Sequence, residues 1–117
     1  MELNEYQEKA MTTCMESSNN FSYMFLNLVG EVGEFASKVA KHIRKEKAYI
    51  AENDLCTKWC AWYEEEELQK EAGDILWQLS GLCSVMGWKL EDVAKMNLDK
   101  LASRQQRNVI DGNGDNR

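Results

Sequence analysis

The sequence predicts an all-α fold, a four-helix bundle, from three observations. Proline is absent from all 117 residues, so the main breaker of helices is missing. Apolar residues recur at spacings of three and four in several separate stretches, the period of an amphipathic helix. A chain of this length holds one hydrophobic core and not two, so those stretches must bury their apolar faces on one another.

The first helix is expected over residues 4–16, with Asn4 as its cap and Tyr6, Ala10, Met11 and Cys14 at helical spacing. The polar run SSNN, residues 17–20, ends it. From Phe21 to about Lys45 a second helix gathers Met24, Phe25, Leu28, Val32, Phe35, Val39 and Ile43 into one broad stripe. Glu31 falls on the edge of that stripe, and Glu34 lies a step further round beside Asn27 and Lys38.

Residues 46–61 lose this periodicity and read as a long connection with room for a short helix. The acidic run Glu64 to Glu67 suits the start of a third helix, because negative charge is favourable near a helix N-terminus. That helix continues to about Met86 with Leu68, Ile75, Leu79, Leu82 and Met86 on its apolar side, and Gly87 stops it. The fourth helix runs from about Leu90 to Arg107, with Leu90, Val93, Ala94, Leu101 and the polar Asn97 on a common side. Its cap position holds Lys89, where a Ser or Asp is expected. Residues 1–110 thus read as one helical domain, and the glycine-rich end, residues 111–117, as a mobile polar tail.

Composition narrows the function. No apolar run approaches the roughly 20 residues that cross a bilayer, so no membrane span is expected. The acidic N-terminus resembles neither a secretory signal nor a transit peptide, which makes the cytoplasm the expected compartment. A net charge of −6 opposes a general grip on nucleic acid, whose phosphates are held by Lys and Arg surfaces. The four cysteines are then expected as reduced thiols, and Cys56 and Cys60 with a single histidine in the chain argue against zinc.

Two stretches carry the chemistry. GEVGEFASKVAK, residues 30–41, sets Glu31 and Glu34 three positions apart, and ELQKEAGDILWQL, residues 67–79, does the same with Glu71 and Asp74. On the third helix Glu71 is almost in line with Leu82, while Asp74 projects near the stripe's edge with Gln78 one turn on. A carboxylate pressed against an apolar face is destabilising by several kcal/mol unless neutralised, and a cation shared by two such helices removes the difficulty. An all-carboxylate donor set suits Mg²⁺ or Mn²⁺, and Mg²⁺ commonly meets its ligand through phosphate oxygens. The small residues Gly30, Gly33, Ala72 and Gly73 beside the acids suggest close approach by backbone or by water. The blander alternative is two solvated helix faces, with Glu34 and Lys38 as an ordinary i,i+4 pair.

Taken in order, NEYQEKA, LVGEVGE, ELQKEAGDILWQL, NLDKLASRQ and GNGDNR resemble the MazG-like, all-α nucleoside triphosphate pyrophosphohydrolases, whose signature is E-x-x-E on one helix and E-x-x-D on the next. The resemblance covers most of the chain. It implies a four-helix unit that self-associates as a homodimer or homotetramer. It also implies cleavage of a (deoxy)nucleoside triphosphate between the α and β phosphates, giving the monophosphate and pyrophosphate in nucleotide house-cleaning.

By matching position, Glu31, Glu34, Glu71 and Asp74 would be Mg²⁺ ligands, with Mn²⁺ a substitute. One of the helix-two acids, Glu34 in this reading, would also orient the attacking water as the catalytic group. Asn97, Lys100 and Arg104 would reach the phosphates or sugar, joined by Lys38; a solvated or structural role is the competing reading for each. Trp59, Trp62, Trp77 and Trp88 read as core or interface anchors, and His42 as non-catalytic. The stretch from Cys56 to Trp62 reads as an insertion that shapes the pocket or the oligomer. A phosphoribosyl-ATP or dUTP pyrophosphohydrolase, and a non-catalytic helical interaction module, stand as alternatives.

Overall fold

A computed structural model of the chain describes residues 1–44 and 65–117. The expected connection at 46–61, with Cys56, Cys60, Trp59 and Trp62, lies outside the described residues, as does the His42 side chain. The described residues form four α-helices and no strand: α1 (Leu3–Met11), α2 (Phe21–Arg44), α3 (Glu65–Val85) and α4 (Leu90–Gln106), with a 3-10 turn at Glu16–Ser18.

α1 is shorter than its apolar spacing suggests. The Thr12 hydroxyl donates to the Lys9 carbonyl at 2.6 Å and the Thr13 hydroxyl to the Ala10 carbonyl at 2.7 Å, so side chains take over the acceptors that a continuing helix would use. Asn20 opens α2 in the ordinary way, its Oδ1 accepting the Tyr23 N–H at 2.8 Å. α3 closes at Gly87, whose φ of +72° is the left-handed conformation of a helix stop. There the Trp88 N–H reaches back to the Cys83 carbonyl at 2.8 Å and the Gly87 N–H to Ser84 at 3.1 Å.

The missing cap of α4 is supplied from across the bundle. Asn4 does not cap its own helix, whose cap position is Glu2 with no side-chain bond. Its Oδ1 instead accepts the Glu91 N–H at 3.1 Å, and Gln7 Oε1 accepts the Leu90 N–H at 2.8 Å. Gln7 also donates to the Trp88 carbonyl at 2.9 Å and to Ser84 Oγ at 3.0 Å, so one buried amide pins α1, the end of α3 and the start of α4 together. Trp77 is an anchor of the same kind, its Nε1 donating to the Ala10 carbonyl and Thr13 Oγ1.

α2 and α3 pack antiparallel along their length: Asn27 meets Gln78 at one end and Lys38 meets Glu67 at the other. Met24 is fully buried between them, and among the described residues Cys83 and Leu90 are the other buried apolar side chains. The rest of the α2 stripe divides. Leu28, Phe35, Val39 and Ile43 are half-buried, whereas Phe25 is 47% exposed and Val32 50%. Phe21, Leu26 and Val29 are exposed as well, with Phe21 stacked on Phe25 at a 5.8 Å ring separation. A stripe this wide exceeds what one neighbouring helix can cover, and α4 packs on α1 and α3 instead.

The C-terminal residues, read from sequence as a mobile tail, fold back on α4. Asp115 Oδ1 accepts from Lys100 Nζ and from Arg104 Nη2, both at 3.1 Å, and Arg117 Nε donates to the Val109 carbonyl at 2.9 Å. No helix of the described residues is long and apolar enough to cross a membrane.

Candidate functional site

The antiparallel seam of α2 and α3 brings the two acidic pairs together. Glu31, Glu34 and Glu71 each place a carboxylate oxygen within 4.8 Å of the others. Helical spacing stacks the first two on one face of α2, and Glu71 comes from the facing turn of α3. Asp74 is exposed and outside this group of three, yet its charge reaches both Glu31 and Tyr6.

Each of the two inner acids has one oxygen engaged and one left over. Glu71, only 8% exposed, receives Lys38 Nζ on Oε1 at 2.7 Å, and Glu31 Oε1 receives Asn27 Nδ2 at 3.4 Å. The second oxygen of each, Oε2, is buried with no hydrogen-bond partner among the described residues. A buried, unpaired carboxylate oxygen is unfavourable, so these two atoms ask for a cation or a proton.

The electrostatics agree. Burial, followed by the neighbouring carboxylates of Glu34, Asp74 and Glu71, pushes the Glu31 acid above the usual Glu range. The hydrogen bond to Glu71 likewise holds the proton on Lys38 more tightly than usual. Lys38 therefore serves Glu71 at 2.7 Å and Glu67 at 3.6 Å across the seam, and the i,i+4 pairing with Glu34 that spacing suggests is replaced by this interhelical one. Among the described residues Lys38 is the one cation paired with the three clustered carboxylates, which leaves negative charge uncompensated there.

The donor set is all oxygen, and it fits a hard divalent cation such as Mg²⁺ or Mn²⁺. Of the small residues beside the acids, Gly33 and Gly73 have no atom of a neighbouring element within 4 Å of where a side chain would begin, so close packing among the described residues does not explain them. Packing does bear on Gly81, where an added Cβ would collide with Met24 Sδ and Cε.

The residues expected to reach phosphates are placed differently. Lys100 and Arg104 both bind Asp115 of the C-terminal loop, and Arg104 is 5% exposed with its Nε buried and unpartnered. Asn97 is exposed and lines, with Lys100, Trp88, Val93 and Met96, a groove of about 770 Å³ along α4. Among the described residues no hydrogen bond or ion pair joins Asn97, Lys100 or Arg104 to the carboxylates.

Sequence reasoning put Asn27 and Gln78 next to the acids and gave them no role. Asn27 and Gln78 are bonded to each other at 2.7 Å, and Glu67 is a second partner of Lys38. The available signal was positional: Asn27 is one turn before Glu31 and Gln78 one turn after Asp74, on the same helix faces.

Comparison with known proteins agrees with this arrangement. Residues 19–109 match the model of the MazG nucleotide pyrophosphohydrolase domain, a span that runs from the start of α2 past the end of α4 and contains all four acids. The chain is also similar to the Gene 37 protein of Mycobacterium phage L5, at 37% identity over 102 residues that cover 87% of this chain and 81% of that protein. No solved structure matches. Two acid-bearing helices packed as a seam, within a match that spans most of the chain, place it in the family of MazG nucleotide pyrophosphohydrolase domains.

Proposed function

We infer that the protein is a Mg²⁺-dependent nucleoside triphosphate pyrophosphohydrolase that cleaves between the α and β phosphates and releases a nucleoside monophosphate and pyrophosphate. The observation that carries this reading is the meeting of Glu31, Glu34 and Glu71 from two helices, with buried oxygens on Glu31 and Glu71 that have no hydrogen-bond partner among the described residues.

In this reading Glu31, Glu34, Glu71 and Asp74 hold the metal, which when bound offsets charge on the phosphates and polarises a water. The chain's own groups do the rest. Glu34, the most exposed of the three clustered acids, accepts a proton from the attacking water, a role its exposure to solvent supports. Lys38 borders the cluster, and its ammonium meets a phosphate oxygen. Asn97, Lys100 and Arg104 bind the remainder of the nucleotide; the Asp115 contacts of the last two then have to yield to phosphate. The exposed apolar side of α2, Phe21, Phe25, Leu26, Val29 and Val32, is covered by a second copy in a homodimer or homotetramer.

The test is pyrophosphate release from each common ribo- and deoxynucleoside triphosphate, with Mg²⁺ and with chelator. Metal-dependent monophosphate plus pyrophosphate, lost in Glu71→Gln with helicity retained, is the expected result. Phosphoribosyl-ATP or dUTP as the sole substrate would narrow the activity. Absence of turnover and of divalent-ion binding would leave a helical interaction module.

A further inference from the structure

Beneath the carboxylates, on the same two helices, lies a pair of amides that the reaction above does not use. Because α2 and α3 run antiparallel, the turn before Glu31 and the turn after Asp74 meet, and Asn27 Nδ2 donates to Gln78 Oε1 at 2.7 Å. The same nitrogen faces Glu31 Oε1 at 3.4 Å and the Tyr23 hydroxyl at 3.5 Å.

An amide attracts a carboxylate through its nitrogen and repels it through its oxygen, so the way round it sits decides its effect. Here Gln78 decides it. Gln78 is 2% exposed, and its Nε2 is committed to the Met24 carbonyl at 3.4 Å and Met24 Sδ at 3.5 Å. Only its Oε1 remains for Asn27, and only an N–H of Asn27 can answer it. Asn27 Oδ1 is thereby turned toward Gly30, where it would lie 3.4 Å from an added Cβ. One oxygen of Glu31 is then held by a neutral donor, and the buried Oε2 is the one left free.

We propose that Asn27, locked in orientation by Gln78, is a positioning residue that selects which oxygen of Glu31 is offered to a divalent cation, with Gln78 acting only through Asn27. This rests on the metal-cage reading above. A buried amide pair can instead serve only to set the register of two helices, and the two roles separate experimentally.

The experiment is Mn²⁺ binding to the intact chain, read from the paramagnetic resonance of free Mn²⁺, for wild type, Asn27→Leu, Asn27→Ala, Gln78→Met and the Asn27→Leu/Gln78→Met double variant. Circular dichroism establishes which variants keep the fold, and Asn27→Ala guards against a failure of the bulkier leucine. The Asn27 variants are expected to bind Mn²⁺ about tenfold more weakly, the usual scale for loss of a group that orients a metal ligand. Gln78→Met is expected to lose less, and the double variant no more than Asn27→Leu, since Gln78 then has nothing to orient. Unchanged Mn²⁺ affinity in a folded Asn27 variant, with only the melting temperature altered, overturns the proposal in favour of the register role. Additive losses in the double variant overturn the route through Asn27. Failure of the wild type to bind Mn²⁺ defeats the metal reading itself, whereas wild-type binding with an unaffected Asn27→Ala defeats this inference alone.

Discussion

Lys38 Nζ lies 2.7 Å from Glu71 Oε1, joining α2 to α3 at the acidic cluster. An ammonium in that place does, without metal, part of what a divalent ion bound there would do. Lys38→Met is therefore expected to lower the melting temperature of the metal-free chain, because the crowded acids lose their counter-charge. It is also expected to enlarge the rise in melting temperature on adding Mg²⁺ or Mn²⁺, since binding then stabilises a less compensated site. Melting curves with chelator and with each ion measure both. An unchanged ion-induced rise would mean that ammonium and metal do not share Glu71.

The acids themselves should separate by position. Glu31→Gln removes a charge that burial and three neighbouring carboxylates already disfavour, so the metal-free chain should melt higher than wild type. Turnover should fall about 100-fold or more, as expected when several kcal/mol of charge stabilisation are lost. Asp74→Asn should weaken Mn²⁺ binding less than Glu31→Gln does, because Asp74 stands outside the group within 4.8 Å. Equal losses for the two would place Asp74 on the ion as firmly as the others.

Much of this was legible in the sequence. The three-residue spacing of each acidic pair is a local property of a helix, and the apolar stripes suggest which faces meet, so Glu31, Glu34, Glu71 and Asp74 could be grouped before any coordinates; the structure clusters the first three and leaves Asp74 outside them. What could not be read was non-local. The cap of α4 comes from Asn4 and Gln7, more than eighty residues away in the chain, so inspection of Lys89 and its neighbours finds no signal. Lys38 has an attractive partner in its own helix and takes another across the seam. The C-terminal loop looks mobile by composition, yet Arg104 and Arg117 collect its carbonyls. In each case a long polar side chain chose among partners that only the packing brings within reach.

The glycines of the seam give a direct test of where packing is tight. Gly81→Ala forces Met24 to move within a closed core, an overpacking effect of about 1–3 kcal/mol that outweighs the helix-propensity gain. Gly33→Ala and Gly73→Ala meet nothing within 4 Å and should stabilise an isolated chain by about 0.5–1 kcal/mol. Chemical denaturation of the three variants checks the order. A loss at Gly33 or Gly73 would show that something outside the chain, a second copy above all, approaches the helices there.

Gln7 should matter more than a residue on a short N-terminal helix ordinarily would. Gln7→Ala leaves the buried Leu90 N–H without its acceptor and removes two further bonds to Trp88 and Ser84, a destabilisation of about 1–3 kcal/mol. Amide exchange should show the first turn of α4 opening well before α2 and α3. Uniform protection of α4 in the variant would mean that its apolar contacts alone hold it.

The C-terminal loop carries a pH dependence whose sign is set by Asp115. Hydrogen bonds from Lys100 first and then Arg104 hold its carboxyl below the usual Asp range. The folded state thus binds this proton less readily than the unfolded chain does, so the contribution is complete above the unfolded Asp value of about 3.9 and fades as pH falls through the lower folded value. Wild type should therefore melt above Asp115→Asn at neutral pH, and the gap should close in strongly acidic solution. The pair is exposed on the Asp115 side, so added salt should narrow the gap at neutral pH as well. A gap that persists below the Asp range would mean that the loop is held by the backbone bonds of Arg104 and Arg117, with no help from the Asp115 charge.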